Sequence, residues 1–333
     1  MAGRVDAVLE GLLEPGRPVG LVNFPNHANP GDNAIWLGAH AALRRLRVPV
    51  GYACTWSAFS AEAMRRAIGG GPLLLNGGGN FGDLYAGQQG LREHLLEHCK
   101  DRRLVQLPQS IWFRQPENRE RMRRLCAAHP DFTLIVRERQ SHEIASRWFE
   151  VPTLLSPDMA FALGPLDRPA GRAHARFWLG RQDAERVERA APPPELPASD
   201  WLPTAAGDGM PIATRRILEL NRRLVEFTRE DAGRADRRSR ALASTFGPLA
   251  QAWVRRGIEI VASAQVIVTD RLHAHIFAIL LGVPHVVLDN SYGKVRSTFD
   301  TWTHESGFAT WAQTTEDALR AADALVHHEA GTA

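Results

Sequence analysis

Short apolar runs alternate with amphipathic stretches along the chain. Pro18–Phe24 (PVGLVNF) reads as a buried strand, and Asn33–Leu46 then places Ile35, Trp36, Ala39, Leu43 and Leu46 on one helical face. Val48–Ala53 resumes an extended pattern and Ser57–Ile68 is helical in period. Pro72–Asn76 (PLLLN) is a strand that runs straight into Gly77, Gly78 and Gly79. Leu91, Leu95, Leu96 and Cys99 make a helical stripe ahead of a strand at Leu104–Leu107. A charged helix, Glu117–Ala127, leads to strand Phe132–Val136, followed by helix Gln140–Trp148 and a short strand, Thr153–Leu155. Repeated strand–helix units predict a parallel sheet covered by helices on both faces, with ligands outside the carboxyl ends of the strands.

Gly164–Gly171 (GPLDRPAG) breaks this pattern as a linker. A strand at Ala173–Leu179 reopens it, and the Pro-rich stretch Ala190–Pro211 predicts a loop. Ile217–Phe227 and Ala241–Ala264 are helical in period. Strand Val266–Thr269, helix Leu272–Leu281, strand His285–Asp289 and a last helix, Glu316–His327, complete the chain, with no internal repeat of fixed period. The expected fold class is α/β, with two Rossmann-like parallel-sheet domains facing a cleft, residues 1–165 and 166–333, the last helix able to pack back on the first domain.

Composition narrows the partners. Forty Lys+Arg against 37 Asp+Glu leave a charge of +3, which gives no reason to expect nucleic acid. Cys54, Cys99 and Cys126 show no CxxC spacing, so neither a disulfide framework nor a zinc site is expected, and they read as reduced thiols of a cytosolic protein. The N-terminus lacks a signal peptide's apolar core, and the most apolar window, Ile276–Leu288, is cut by Gly282, Pro284 and His285. The expectation is a cytoplasmic protein, able to work at the inner face of a membrane. Arg121–Arg124 and Arg237–Arg240 read as solvated helix faces that could also touch anionic lipid. No metal-ligand spacing is evident, and no cofactor is expected.

Chemistry concentrates in Val266–Asn290 (VIVTDRLHAHIFAILLGVPHVVLDN). A buried strand ends at Asp270 and a helix begins at once, so Arg271, Leu272 and His273 fall in its first turn, where unpaired N–H groups and the helix dipole favour anions. Arg271 adds a forked cation and His273 a group that exchanges protons near neutral pH. His275 is a poorer candidate, because residues 273 and 275 point to different helix faces. The segment FPNHANPGDNAIW places Asn26, His27, Asn29, Asp32 and Asn33 where the first strand empties, a polar set suited to a sugar. Asp32 suits both a general base and a helix N-cap. The run Asn76–Asp83 (NGGGNFGD) lets backbone approach a ligand, with Asn80 and Asp83 as acceptor contacts, but it is not a dinucleotide fingerprint and suits a purely structural turn equally. Arg181 and Lys294 follow strand ends and could neutralise phosphate or form surface salt bridges.

TDRLHAHIFAILLGVPHVVLDNSYGKVRSTFDTW closely resembles the C-terminal signature of the polysaccharide pyruvyl transferase family, with Ala274 where DRLHG has glycine. NPGDNAIWLGA, LLLNGGGNFGDLY, VRERQS, SPDMAF and GRQDAER resemble further family segments in the same order, Asp200-Trp201 matches weakly, and the likeness spans roughly residues 20 to 303. The resemblance implies a glycosyltransferase-B-like pair of domains, the first on the acceptor side and the second on the donor side. It also implies phosphoenolpyruvate as donor and a pyruvate ketal on a saccharide, which could be lipid-linked, of an exopolysaccharide or cell-wall precursor. Carried over by position, Arg137, Arg271 and His273 bind the donor, with Leu272 contributing its backbone. His273 then suits protonation of the methylene carbon. Two other readings remain open: a nucleotide-sugar glycosyltransferase of the same architecture, for which no ribose-binding acid is evident, and a non-catalytic sugar-binding protein, against which the strand-end cations argue.

Overall fold

The computed structural model describes residues 1–183, 185–202, 210–230 and 235–330. Helix α1 (Ala2–Glu10) precedes β1 (Val19–Phe24), α2 (Pro30–Arg45), β2 (Val50–Thr55), α3 (Ala61–Ile68), β3 (Leu73–Leu75) and β4 (Gly78–Gly82). Then come α4 (Ala86–His98), β5 (Leu104–Trp112), α5 (Pro116–Ala128), β6 (Phe132–Val136), α6 (Arg139–Trp148) and β7 (Thr153–Leu155). The second series is β8 (His174–Leu179), β9 (Ala198–Ser199), α7 (Ile212–Glu230), α8 (Ala235–Ala262), β10 (Ala264–Thr269) and α9 (Leu272–Leu281). It ends with β11 (His285–Val287), α10 (Lys294–Thr298), β12 (Ala309–Trp311) and α11 (Thr315–Ala330). Part of the Pro-rich stretch expected to be loop, 203–209, lies outside the described residues.

Among the described residues the strands form two sheets, and every pairing is parallel. The first has the order β2-β1-β3-β5-β6-β7 with β4 beside β5, and the second β12-β11-β10-β8-β9. Counted within each series, both begin 2-1-3, a doubly wound order in which the direction of winding reverses at the first strand. Strands β1, β3 and β6 are buried along their whole length because helices cover both faces of the sheet. On one face Leu21, Leu74, Val105 and Ile135 pack with Ile35, Trp36 and Leu43 of α2 and with Leu242 and Phe246 of α8. On the other, Val22, Leu75, Leu134 and Val136 meet Met64, Leu95, Met122 and Cys126. Each large side chain buried in this way contributes roughly 1.5–3 kcal/mol.

Strand β5 continues past Pro108, where the sequence pattern predicted its end. Proline has no N–H to give a ladder, and both neighbours shift register nearby, β6 between Gln106 and Gln109 and β4 between Gly78 and Phe81. The ladder then resumes with β4, which occupies most of the glycine-rich run expected to be a loop. Glycine is required there by crowding: a Cβ on Gly77 would lie 2.5 Å from the Pro108 carbonyl oxygen, and one on Gly82 would lie 1.8 Å from that of Trp112.

The chain divides into two compact units. Residues 1–27, 32–163 and the described part of 205–252 form the first; residues 28–31 and the described parts of 164–204 and 253–333 form the second. Residues 205–252 join the first unit because the apolar faces of α7 and α8, including Ile217, Leu224, Leu242 and Phe246, pack into its core, where the rings of Phe246 and Phe24 stack with centroids 3.9 Å apart. Helix α11 lies on the second sheet, with Ala318 and Ala322 against Val266, Val268 and Val286. No helix of the described residues is long and apolar enough to cross a membrane.

Two fully buried histidines tie α9 to β11. His285 Nδ1 lies 2.8 Å from the Val283 carbonyl and therefore carries its proton. Its Nε2 then accepts from His275 Nδ1 at 2.6 Å, and His275 Nε2 accepts the Thr303 hydroxyl at 2.8 Å. Burial pushes His285 down to about 4 and His275 well below the ordinary value, the latter also opposed by His285. The unfolded chain takes up these protons near pH 6.5 while the folded chain refuses them, so stability is lost as pH falls from there towards 4. Each such proton is worth about 1.4 kcal/mol per pH unit. Thermal unfolding should show the melting temperature falling over this window, with a shallower slope in the double variant His275→Phe/His285→Leu.

Candidate active site

In each sheet the first strand has its successor on one side and the third strand on the other, so helices leave in opposite directions and a crevice opens at the carboxyl ends. In the first sheet this point lies after Phe24 and Leu75, and in the second after Leu179 and Thr269. Four of the chemistry-bearing segments of the sequence begin at these strand ends, while VRERQS begins at the end of β6.

In the second unit, Thr269 Oγ1 donates to the Leu179 carbonyl at 2.7 Å and accepts the Arg271 N–H at 3.1 Å, which stitches the tips of β8 and β10 together. Asp270 is 4% exposed and accepts the Arg181 N–H at 2.9 Å. Burial pushes its carboxyl above the ordinary value, opposed by that hydrogen bond and by Arg189, Arg181 and Arg271. Arg271, 2% exposed, donates through Nη2 to Asp200 and, at 3.2 Å, to Asp183. Arg181 forks onto Asp183 with both contacts at 2.9 Å and reaches Glu185 at 3.0 Å. Lys294 meets the same Glu185 carboxylate and donates to the Tyr292 hydroxyl at 2.8 Å. Arg181 and Lys294 are therefore members of a buried network, not surface salt bridges.

The electrostatics of this network follow from its pairing. Burial alone would raise Asp183, but the hydrogen bond from Arg181 and the charges of Arg181 and Arg271 hold it below the ordinary carboxylate range. Burial likewise opposes Glu185, and Lys294 with Arg181 outweighs it. Three cations are thus held in place by three carboxylates, Asp183, Glu185 and Asp200. Asp183 is the most open of the three, with 34% of its side chain exposed. A phosphate or carboxylate entering here meets guanidinium groups already oriented, and Asp183 is the carboxylate best able to swing aside.

His273 stands next to this network in the first turn of α9. The intrahelical ladder of α9 opens with His275 N to Arg271 O at 3.0 Å, so the N–H groups of Leu272, His273 and Ala274 precede it. Leu272 is 1% exposed and offers only backbone to a ligand. The His273 ring packs on the backbone of Gly31, where an added Cβ would lie 2.3 Å from Nδ1. Helix α2 is capped by Asn29, whose Oδ1 accepts the Gly31 N–H at 3.0 Å, while Asp32 lies within the first turn.

In the first unit, His27 Nε2 and Asp32 Oδ2 are 3.6 Å apart, and Asn33 donates to the His27 carbonyl at 2.9 Å. Asn26 is exposed beside them. Asp32 Oδ1 lies 3.8 Å from where a Cβ of Gly78 would stand, which puts Asp32 beside the glycine-rich strand. Asn80 is on that strand and partly exposed. Asp83 spends its oxygens on the entry to α5, accepting the Arg114 and Gln115 N–H groups just before the helix at 2.7 Å each and Asn118 Nδ2 within it at 2.8 Å. Arg137 is 1% exposed and donates to Ser110 at 2.8 Å and Asp158 at 2.7 Å, with Glu138 bound to Ser110 and Ser141 beside it. The VRERQS and SPDMAF segments therefore meet in one buried cluster.

Sequence reasoning missed Asp183, Glu185 and Asp200 as partners of the cations. The signal for Asp183 and Glu185 was the placement of acids two and four residues after Arg181 in GRQDAER. Among the described residues no group of three or more His, Cys, Asp or Glu side chains could hold a metal ion.

The fit of His273 against Gly31 is testable. In Gly31→Ala the new methyl must displace His273 from its Cβ outward, so turnover should fall by at least about ten-fold and the melting temperature should fall with it, while circular dichroism shows the fold retained.

The profile of the polysaccharide pyruvyl transferase family matches residues 29–225 and 254–292. Pyruvyl transferase 1 of Schizosaccharomyces pombe is 32% identical over 300 residues, covering 86% of this chain and 70% of its own. EpsO of Bacillus subtilis, provisionally named a pyruvyl transferase, is 28% identical over 290 residues, covering 84% of each chain. A crystal structure of a Klebsiella pneumoniae protein superposes with a TM-score of 0.60 at 16% identity, over 94% of this chain and 99% of that one, and shares the fold. With the family profile spanning well over half of the residues, this chain belongs to the polysaccharide pyruvyl transferase family.

Proposed function

We propose that the protein transfers a pyruvyl group from phosphoenolpyruvate to a saccharide and forms a pyruvate ketal. Family membership supports the transfer of pyruvyl to polysaccharide. The observation that carries the donor assignment is the pairing of Arg271 and His273 at the start of α9, beside Arg181 and Lys294. Phosphoenolpyruvate brings a phosphate and a carboxylate, which suit guanidinium forks and helix N–H groups. Arg271, Arg181, Lys294 and the Leu272 backbone are proposed to hold them. Arg137 is proposed to act from beneath, by fixing Ser110 and Asp158 at the edge of the first sheet.

His273 is proposed to donate a proton to the methylene carbon of the enol ester. The adjacent carbon becomes oxocarbenium-like, and a sugar hydroxyl adds to it as Asp32 takes the hydroxyl proton. Departure of phosphate then lets a second hydroxyl add, its proton passing to the phosphate, which gives a ketal and inorganic phosphate. Asn26, His27, Asn29 and Asn80 are proposed to bind the saccharide. A lipid-linked saccharide would bring the protein to the inner face of a membrane.

Thermal-shift measurements with phosphoenolpyruvate and with nucleotide sugars separate this proposal from a nucleotide-sugar glycosyltransferase, with stabilisation expected only from the first. His273→Gln should lower turnover by at least about a hundred-fold with donor binding retained, the range expected for loss of a general acid. Near-normal turnover would remove His273 from the mechanism. Asp32→Asn should lower turnover without weakening donor binding; a fall in melting temperature alone would show that Asp32 serves only the first turn of α2.

A further inference from the structure

Arg92 of α4 is 1% exposed, yet its hydrogen bonds all run to neutral acceptors. Nε donates to Gln106 Oε1 at 2.8 Å, and Nη1 to Gln89 Oε1 at 2.6 Å and to the Asn80 carbonyl at 3.1 Å. Nη2 donates to Asn80 Oδ1 at 2.7 Å, and the guanidinium lies 4.4 Å over the Phe81 ring. Burying a guanidinium without a carboxylate is costly, so the arrangement asks for a reason beyond packing.

Its effect is to fix the polarity of Asn80. Arginine has no hydrogen-bond acceptor, so the atom of Asn80 that faces it must be the oxygen. Gln109 Nε2 donates to the same oxygen at 2.7 Å, while Gln109 Oε1 faces the Asn80 N–H at 3.4 Å. With its oxygen engaged twice from within, Asn80 has only its NH₂ left to turn outward, and among the described residues that NH₂ has no protein acceptor. Asn80 sits two residues beyond Gly78, the glycine beside which the Asp32 carboxylate lies.

We propose that Asn80 is a donor-only contact for the saccharide, and that Arg92 and Gln109 are positioning residues that hold it in that polarity. The inference rests on the reading that the first unit takes the saccharide. Asp32 offers an acceptor and Asn80 a donor, so together they select a sugar that presents a hydroxyl hydrogen to one and an oxygen lone pair to the other.

The discriminating variant is Asn80→Asp. Its inner oxygen still accepts from Arg92, now as a counter-ion, and its outer group changes from donor to acceptor. The assay uses phosphoenolpyruvate with a panel of p-nitrophenyl hexopyranosides, read by the mass of the product. The expected result is a melting temperature equal to or above wild type, a glycoside KM raised at least about ten-fold and a phosphoenolpyruvate KM within about two-fold. Gln109→Met, which removes one of the two inner donors and leaves Arg92 in place, should raise the glycoside KM by a smaller factor and leave the donor KM unchanged. A glycoside KM within about two-fold of wild type in Asn80→Asp would overturn the donor role, and a fall in its melting temperature would overturn the assigned polarity. If wild type transfers pyruvyl from phosphoenolpyruvate to none of the glycosides, the parent reading falls and this inference falls with it.

Discussion

A parallel sheet buried on both faces cannot turn its chain back within the sheet. Every strand must be followed by a crossover, and every strand therefore ends on the same edge. Where successive crossovers run in opposite directions, no helix covers that edge, and polar residues can gather there without breaking the core. Both sheets of this protein obey the constraint at their first and third strands. It explains why Arg181, Asp270 and Arg271 of the second unit, and His27 and Asp32 of the first, follow strand ends although the segments are far apart in sequence.

The two edges handle charge differently. The second unit buries cations against carboxylates, so Arg271, Arg181 and Lys294 stay oriented without a ligand. Such pairs add little net stability, because desolvation consumes most of the Coulomb attraction, but they define geometry. The first unit pairs Arg137 with Asp158 in the same way but buries Arg92 against amide and carbonyl oxygens, and burial lowers the Arg92 pKa to about 9, offset in part by Cys126 and Glu93. One edge presents oriented cations, the other oriented amide and carbonyl dipoles.

Packing supports both edges from below. Gly31 has no side chain where the His273 ring lies, and Gly38 has none where a Cβ would meet the Met159 carbonyl oxygen at 1.9 Å. Pro108 interrupts the ladder of β5 and lets β4 take up pairing where β3 leaves off, which carries Asn80 past the tip of β3. In the sequence the glycines of this run suit a close backbone approach to a ligand or a purely structural turn, and in the structure they allow the close approach of two strands.

The sequence by itself determined most of the strands and helices, though not β4 or the far half of β5, because side-chain period and strand-breaking residues act locally. Phe132–Val136, Thr153–Leu155 and Leu272–Leu281 fall where the pattern placed them. The DRLH segment was legible for the same reason, as a polar cluster at a strand end in front of a helix. Only the tertiary structure decided that α7 and most of α8 pack on the first sheet, that Asp83 braces the turn into α5, and that Arg271 meets Asp200 across 71 residues and Lys294 meets Glu185 across 109. An amphipathic face does not say which core will cover it, and a cation does not name its carboxylate. Both depend on strand register and crossover direction, which are settled when distant segments pack together.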